Sequence, residues 1–232
     1  MPELVLGIDD AGRGPCIGPM ILVGVLLDKK DEAGLKKLGV KDSKQVIHSE
    51  RVLLAEKIKK TAIDFCVLEK HPSEIDNDLK EGINLNRVEA IMAAGIINKI
   101  NSKSRQKEKI TVFVDCPSNN IIKWRAVLVG YVEHSDNIEF KIEHKADVNH
   151  VSCSAASILA KVKREDEVEK LKKKIGVDCG SGYPSDPVTK KFLKEYYEKH
   201  KKDGIFRESW QTIKDHCSGE KSKKQQKNIL DY

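Results

Sequence analysis

LVLGIDDAGRGPCIGPMILVGVLL, residues 4–27, joins two apolar runs through glycine- and proline-rich turn material. LVLGIDD (4–10) and MILVGVLLD (20–28) read as β-strands, and GRGPCIGP between them as a turn. The first run ends on two adjacent carboxylates, Asp9 and Asp10. A strand burying its own end has no use for paired negative charges, so this position asks for a chemical reason.

Outward from that hairpin, DFCVLEK (64–70) is a strand by its alternation. ITVFVDC (110–116) is a β-branched run ending at Asp115, and EFKIEHKAD (139–147) alternates and ends at Asp147. Helices are expected over 49–61 and over 84–100, where Leu85, Val88, Met92, Ile96 and Ile100 form one stripe. A long helix is expected over 151–175, with Val151, Ala155, Ile158, Val162, Leu171 and Ile175 facing a core and lysines opposite. Two more are expected near 188–200 and 207–216. Strands first, then strands separated by helices, predict an α/β fold with a mixed sheet and a helical C-terminal part.

The chain of 232 residues can bury one substantial core, or a core with a helical appendage. Charged residues make up 34 % and apolar ones 39 %, which excludes a disordered chain. No apolar run is long enough to cross a bilayer, and MPELVLGIDD has no signal-peptide pattern, so a cytoplasmic protein is expected. The six cysteines contain no C-x-x-C pair and are read as reduced, mostly buried thiols. A net charge of +6 is compatible with a polyanionic partner without requiring one.

Three expected strands end in carboxylates: Asp9 with Asp10, Asp115 and Asp147. If the strands are neighbours, these charges converge at a sheet edge where ligand sites gather. Hard divalent cations, Mg²⁺ or Mn²⁺, relieve such a cluster, while ordinary strand-end turns give the same spacing. GRGPCIGP is G-x-G-x-x-x-G followed by a strand, which argues against a dinucleotide loop. His144, His150 and Cys153 lack the second cysteine pair that a zinc site needs.

Together GIDDAGRGPCIGP, LGVKDSK, VFVD, EHKAD, SAASILAKVKR and GSGYPSDP resemble, in order and spacing, the ribonuclease HII (type 2 ribonuclease H) family in its archaeal form. The resemblance covers nearly the whole chain. It implies a ribonuclease H-like mixed five-stranded sheet flanked by helices, with a catalytic domain over 1–178. A helical substrate-binding extension is expected over 179–217, and the polar, lysine-rich composition after it predicts a flexible basic tail over 218–232. The resemblance implies hydrolysis of RNA in RNA–DNA hybrids and incision at ribonucleotides embedded in duplex DNA. The family's four metal-binding, catalytic acids fall on Asp9, Asp10, Asp115 and Asp147. Its junction-reading motif falls on Gly12, Arg13 and Gly14, and its substrate tyrosine on Tyr183. Lys44 and Arg164 fall on positions that meet phosphate. The sister family, ribonuclease HIII, lacks this tyrosine.

Asp10 stands where the common motif has glutamate, one methylene longer, which bears on metal spacing and preference. Gln226, Ile229 and Tyr232 fit Q-x-x-I-x-x-Y, which resembles the peptide box that docks on sliding DNA clamps. A monomer is expected. The rival readings are another metal nuclease of the same superfamily, or a non-catalytic nucleic-acid binding module.

Overall fold

A computed structural model describes residues 3–40, 46–103 and 108–218. Lys44, and Gln226, Ile229 and Tyr232 of the clamp-like peptide, lie outside the described residues.

Five strands form one mixed sheet in the order β3-β2-β1-β4-β5. They are β1 (Leu4–Ala11), β2 (Met20–Asp28), β3 (Asp64–Lys70), β4 (Ile110–Asp115) and β5 (Ile138–Glu143). β1 is central, antiparallel to β2 and parallel to β4, and β4 is parallel to β5. Covered on both faces, β1 and β2 are apolar almost throughout, which is why they read as continuous runs rather than as alternating ones.

The chain divides into two compact units. The first comprises residues 1–11, 20–69 and 83–164; the second comprises 12–19, 70–82 and 165–232. Along the chain this division last falls after Arg164. It also assigns two earlier segments, one of them the glycine loop 12–19, to the C-terminal unit. That loop is tied there by main-chain bonds, among them Gly18 N–H to the Ile205 carbonyl at 2.9 Å.

In the first unit, α1 (Lys29–Lys37), α2 (His48–Thr61) and the start of α7 (Val151–Ile175) cover one sheet face. Ala155, Ile158 and Val162 of α7 are buried there with Val5, Val23 and Val25. α7 can lie close because position 7 is glycine: a Cβ on Gly7 would stand 2.1 Å from the Ser152 carbonyl carbon. α4 (Leu85–Lys103) covers the other face, with Ile96 against Gly24, and packs beside α5 (Ile121–Gly130).

The second unit holds α3 (Pro72–Lys80), the end of α7, α8 (Pro187–His200) and a helical run over 211–218. Its core gathers Ile17, Val168, Phe192, Leu193, Tyr197, Phe206 and Ile213.

Two expected elements are corrected: the helix expected near 207–216 starts only at residue 211, after a turn, and one strand is shorter than read. The strand read as running to Asp147 stops at Glu143. Lys145 takes a left-handed conformation (φ 61°), which ends the extended run and starts the single-turn α6 (Ala146–Asn149). Asp147 therefore sits in the first turn of a short helix.

Candidate active site

The parallel register places the acids. The last printed pair of β1 and β4 is Ile8 with Val114, so Asp9 and Asp115 come one residue later on neighbouring strands. α6 follows β5 and delivers Asp147, while the Asp115 carboxylate accepts the Ala146 N–H at 3.2 Å. Ligand oxygens of Asp9, Asp115 and Asp147 all lie within 4.8 Å of one another, with Asp9 and Asp147 buried.

Asp10 is not one of these three. Successive residues of a strand point to opposite faces, so Asp10 lies on the side of Ile8 and Leu22. There it lines a small cavity with Glu89, Ala93 and Trp124, and Asp9 and Asp115 also reach that cavity. Its charge still acts on its neighbour: burial first, then the Asp10 and Asp115 charges, push the Asp9 carboxyl well above the usual carboxylate range. Bonds from the Ser157 hydroxyl and the Asp10 N–H, the latter at 2.8 Å, work the other way. Lys161 Nζ donates in turn to the Ser157 hydroxyl at 3.2 Å.

This donor set fits a hard divalent cation. It offers carboxylate oxygen from three residues, and a cation would relieve the mutual repulsion that now raises Asp9. Burial first, then the Asp9 charge, pushes the nearby Cys153 thiol well above its ordinary pKa. His144 contacts the Cys116 carbonyl at 2.9 Å, His150 pairs with Glu143 at 2.9 Å, and Cys153 Sγ donates to the Phe113 carbonyl at 3.3 Å. They do not converge as a zinc set.

Within the second unit, the two loops of interest lie side by side. The Cys16 N–H donates to the Gly182 carbonyl at 2.9 Å. The Tyr183 ring lies over Gly14, where a Cβ would stand 3.6 Å from Cε1, and Tyr183 keeps 39 % exposure. Gly12 has φ 84°, a left-handed conformation open to glycine at little cost. Asp186 shapes the tyrosine loop: its carboxylate accepts the Ser181 N–H (2.7 Å) and hydroxyl (2.6 Å) and caps α8 through the Val188 N–H (2.8 Å). These bonds, Ser181 foremost, lower its pKa to about 2.

Other expected groups land differently. Arg164 is buried at 6 % exposure. Of the α7 lysines, Lys163 pairs with Glu69 (2.7 Å), Lys170 with Glu167 (2.8 Å) and Lys172 with Glu169 (2.8 Å). Among the described residues no helix is long and apolar enough to cross a membrane, and none of the six cysteines forms a disulfide.

Sequence reasoning passed over Arg207, the largest fully buried side chain among the described residues. A lone arginine in RESW carries no periodicity or spacing signal; only its contacts with the glycine loop reveal it.

The family model described as Ribonuclease HII matches residues 6–213. A ribonuclease HII of Pyrococcus furiosus is 41 % identical over 223 residues, covering 95 % of this chain and 94 % of the relative. The crystal structure of ribonuclease H2 from Pyrococcus horikoshii OT3 superposes with TM-score 0.80 at 37 % identity, covering 92 % and 96 % of the two chains. The RNase HII of a PCNA:RNase HII complex from Archaeoglobus fulgidus superposes with TM-score 0.77 at 36 % identity, covering 90 % and 95 %.

Proposed function

The chain belongs to the ribonuclease HII family, and on that premise we propose that it is a metal-dependent endoribonuclease acting on RNA paired with DNA. It hydrolyses the RNA strand of RNA–DNA hybrids and incises 5′ to ribonucleotides embedded in duplex DNA. The products carry 5′-phosphate and 3′-hydroxyl ends. The cellular roles are ribonucleotide removal and RNA primer removal.

The convergence of Asp9, Asp115 and Asp147 oxygens within 4.8 Å carries this reading. Asp9, Asp115 and Asp147 would hold Mg²⁺ or Mn²⁺, with Asp10 joining from the adjacent pleat. Bound there, such ions supply an activated water nucleophile and charge stabilisation for the leaving 3′ oxygen. The carboxylates are ligands rather than proton carriers. The Ser157 hydroxyl holds Asp9 in place, and the Ala146 N–H does the same for Asp115.

Selection of ribose falls to the second unit. A 2′-hydroxyl is both donor and acceptor, and it is what separates RNA from DNA locally. The backbone of Gly12, Arg13 and Gly14 is bare enough to reach it. Tyr183, stacked over Gly14, is placed to pack on the following deoxyribose, which has no hydroxyl to clash. Lys44 and Arg164 contribute to phosphate binding in this reading.

The C-terminal peptide Gln226, Ile229 and Tyr232 is proposed to dock on a sliding clamp. The Archaeoglobus fulgidus relative, solved with PCNA, supports that assignment. Deleting 226–232 should abolish clamp affinity and leave nuclease turnover intact.

A substrate panel tests the function itself: hybrid, duplex with one ribonucleotide, all-DNA duplex and four-way junction, each with Mg²⁺, Mn²⁺ and chelator. Cleavage of the first two alone, dependent on metal, is the expected outcome. Cleavage of the junction or of all-DNA duplex points to another nuclease class, and no cleavage points to a binding module.

A further inference from the structure

We propose that Arg207 is a positioning residue that sets which face of the Gly12–Arg13–Gly14 backbone is turned toward ribose, and so sets selectivity for a single ribonucleotide. This rests on the reading above that the loop meets the 2′-hydroxyl.

Arg207 is fully buried, and its guanidinium bonds the main chain of one loop at three points. Nη2 donates to the Gly12 carbonyl at 2.6 Å, Nη1 to the Arg13 carbonyl at 2.8 Å and Nε to the Gly18 carbonyl at 3.1 Å. Its own N–H donates to the Cys16 carbonyl at 2.9 Å. The indole of Trp210 lies 4.8 Å below the guanidinium, and Trp210 Nε1 donates to the Gly14 carbonyl at 3.1 Å. Three consecutive carbonyls, 12 through 14, are thus drawn to one side.

A trans peptide points its C=O and N–H in opposite directions. With the Gly12 and Arg13 carbonyls held on Arg207, the N–H groups of Arg13 and Gly14 are turned away from it. The next peptide, Gly14 to Pro15, has no N–H to offer. The guanidinium therefore fixes a pair of adjacent donors at the tip of the loop. A guanidinium does this with donors fixed in one plane, whereas a lysine ammonium is a compact charge on a flexible stem whose rotatable donors do not hold that arrangement.

The turn that carries Arg207 is itself anchored. Asp76 of α3 is buried, and its carboxylate accepts the Glu208 N–H (2.8 Å), the Ser209 N–H (3.0 Å) and the Ser209 hydroxyl. The relay runs from α3 through the 207–210 turn to the glycine loop, all within the second unit.

The effect should depend on substrate. A duplex with one ribonucleotide offers one 2′-hydroxyl in one register. A hybrid offers one at every position, so a misdirected loop finds another. Arg207→Lys should lower kcat/KM on the single-ribonucleotide duplex about tenfold more than on the hybrid, the scale of losing one hydrogen bond to a charged group. Mn²⁺ affinity by calorimetry should stay within about twofold of wild type, since the carboxylates belong to the other unit. An equal fall on both substrates, or none, overturns the proposal. Should Arg207→Lys fail to fold, Trp210→Phe decides, because it keeps the stacking and removes only the bond to Gly14. A preferential loss of about threefold supports the assignment, and an equal loss refutes it. If the wild-type enzyme leaves the single-ribonucleotide duplex uncut while cleaving hybrid, the reading of the loop itself has failed, and the role of Arg207 falls with it.

Discussion

Asp9 and Asp115 lie on adjacent parallel strands, each one residue beyond the Ile8–Val114 pair, and their carboxylates converge with that of Asp147. The pleat puts both on the same face of the sheet, so their meeting is dictated by register. Acids gathered this way serve a cation better than they serve the fold.

Asp115→Asn should therefore lower kcat at least about 100-fold in Mg²⁺ and leave hybrid binding in chelator unchanged or tighter. A carboxamide keeps the shape but loses the charge that a divalent ion needs. Single-turnover kinetics and metal-free binding titrations check this, and near-normal turnover would count against the assignment.

Asp9 links stability to pH in an unusual sense. Its folded-state pKa lies above its unfolded value because of burial and the Asp10 charge. Ionisation is therefore penalised in the folded state, and the penalty grows as pH rises from the ordinary carboxylate range through the raised value. Metal-free protein should gain a contribution from Asp9 as pH falls from 7 toward that range. Asp9→Asn should raise the Tm of the metal-free protein at pH 7, by about 2–4 °C per kcal/mol relieved, while abolishing cleavage. Calorimetry at two pH values tests both statements. A Tm lowered by Asp9→Asn would show that the carboxylate is structural.

Asp10→Glu restores the residue of the common motif at a position lining the cavity shared with Glu89 and Trp124. The longer arm should change the Mg²⁺ concentration needed for half-maximal activity by about threefold or more, downward. An unchanged metal titration would mean that Asp10 does not take part in ligation.

Gly7→Ala should be severely destabilising. The added Cβ meets main chain on α7 at 2.1 Å, not a movable side chain. Forcing α7 off β1 should cost about 3 kcal/mol or more, read as a shift in urea midpoint. A loss under about 1 kcal/mol would mean that the helix can move freely.

Much of this was legible in the sequence because it rests on periodicity. The span 151–175 is helical end to end as α7, and β3 occupies 64–70 as read. What was hidden depended on single residues or on space. Asp147 read as a strand end because nothing in EHKAD announces that Lys145 turns left-handed. α5, IIKWRAVLVG, carries apolar residues around most of its circumference, so no stripe marks it. Nor could the pattern show that residues 12–19, lying between two strands of one unit, belong to the other. That assignment comes from Arg207 and the main-chain bonds around it.

The most direct test of the central claim is Mn²⁺ and Mg²⁺ titration of incision at one ribonucleotide in duplex DNA, comparing wild type with Asp115→Asn and mapping the cut end. The account predicts strictly metal-dependent incision on the 5′ side of the ribonucleotide by wild type and its loss in the variant. Incision that persists in chelator, or that survives Asp115→Asn unchanged, would contradict it.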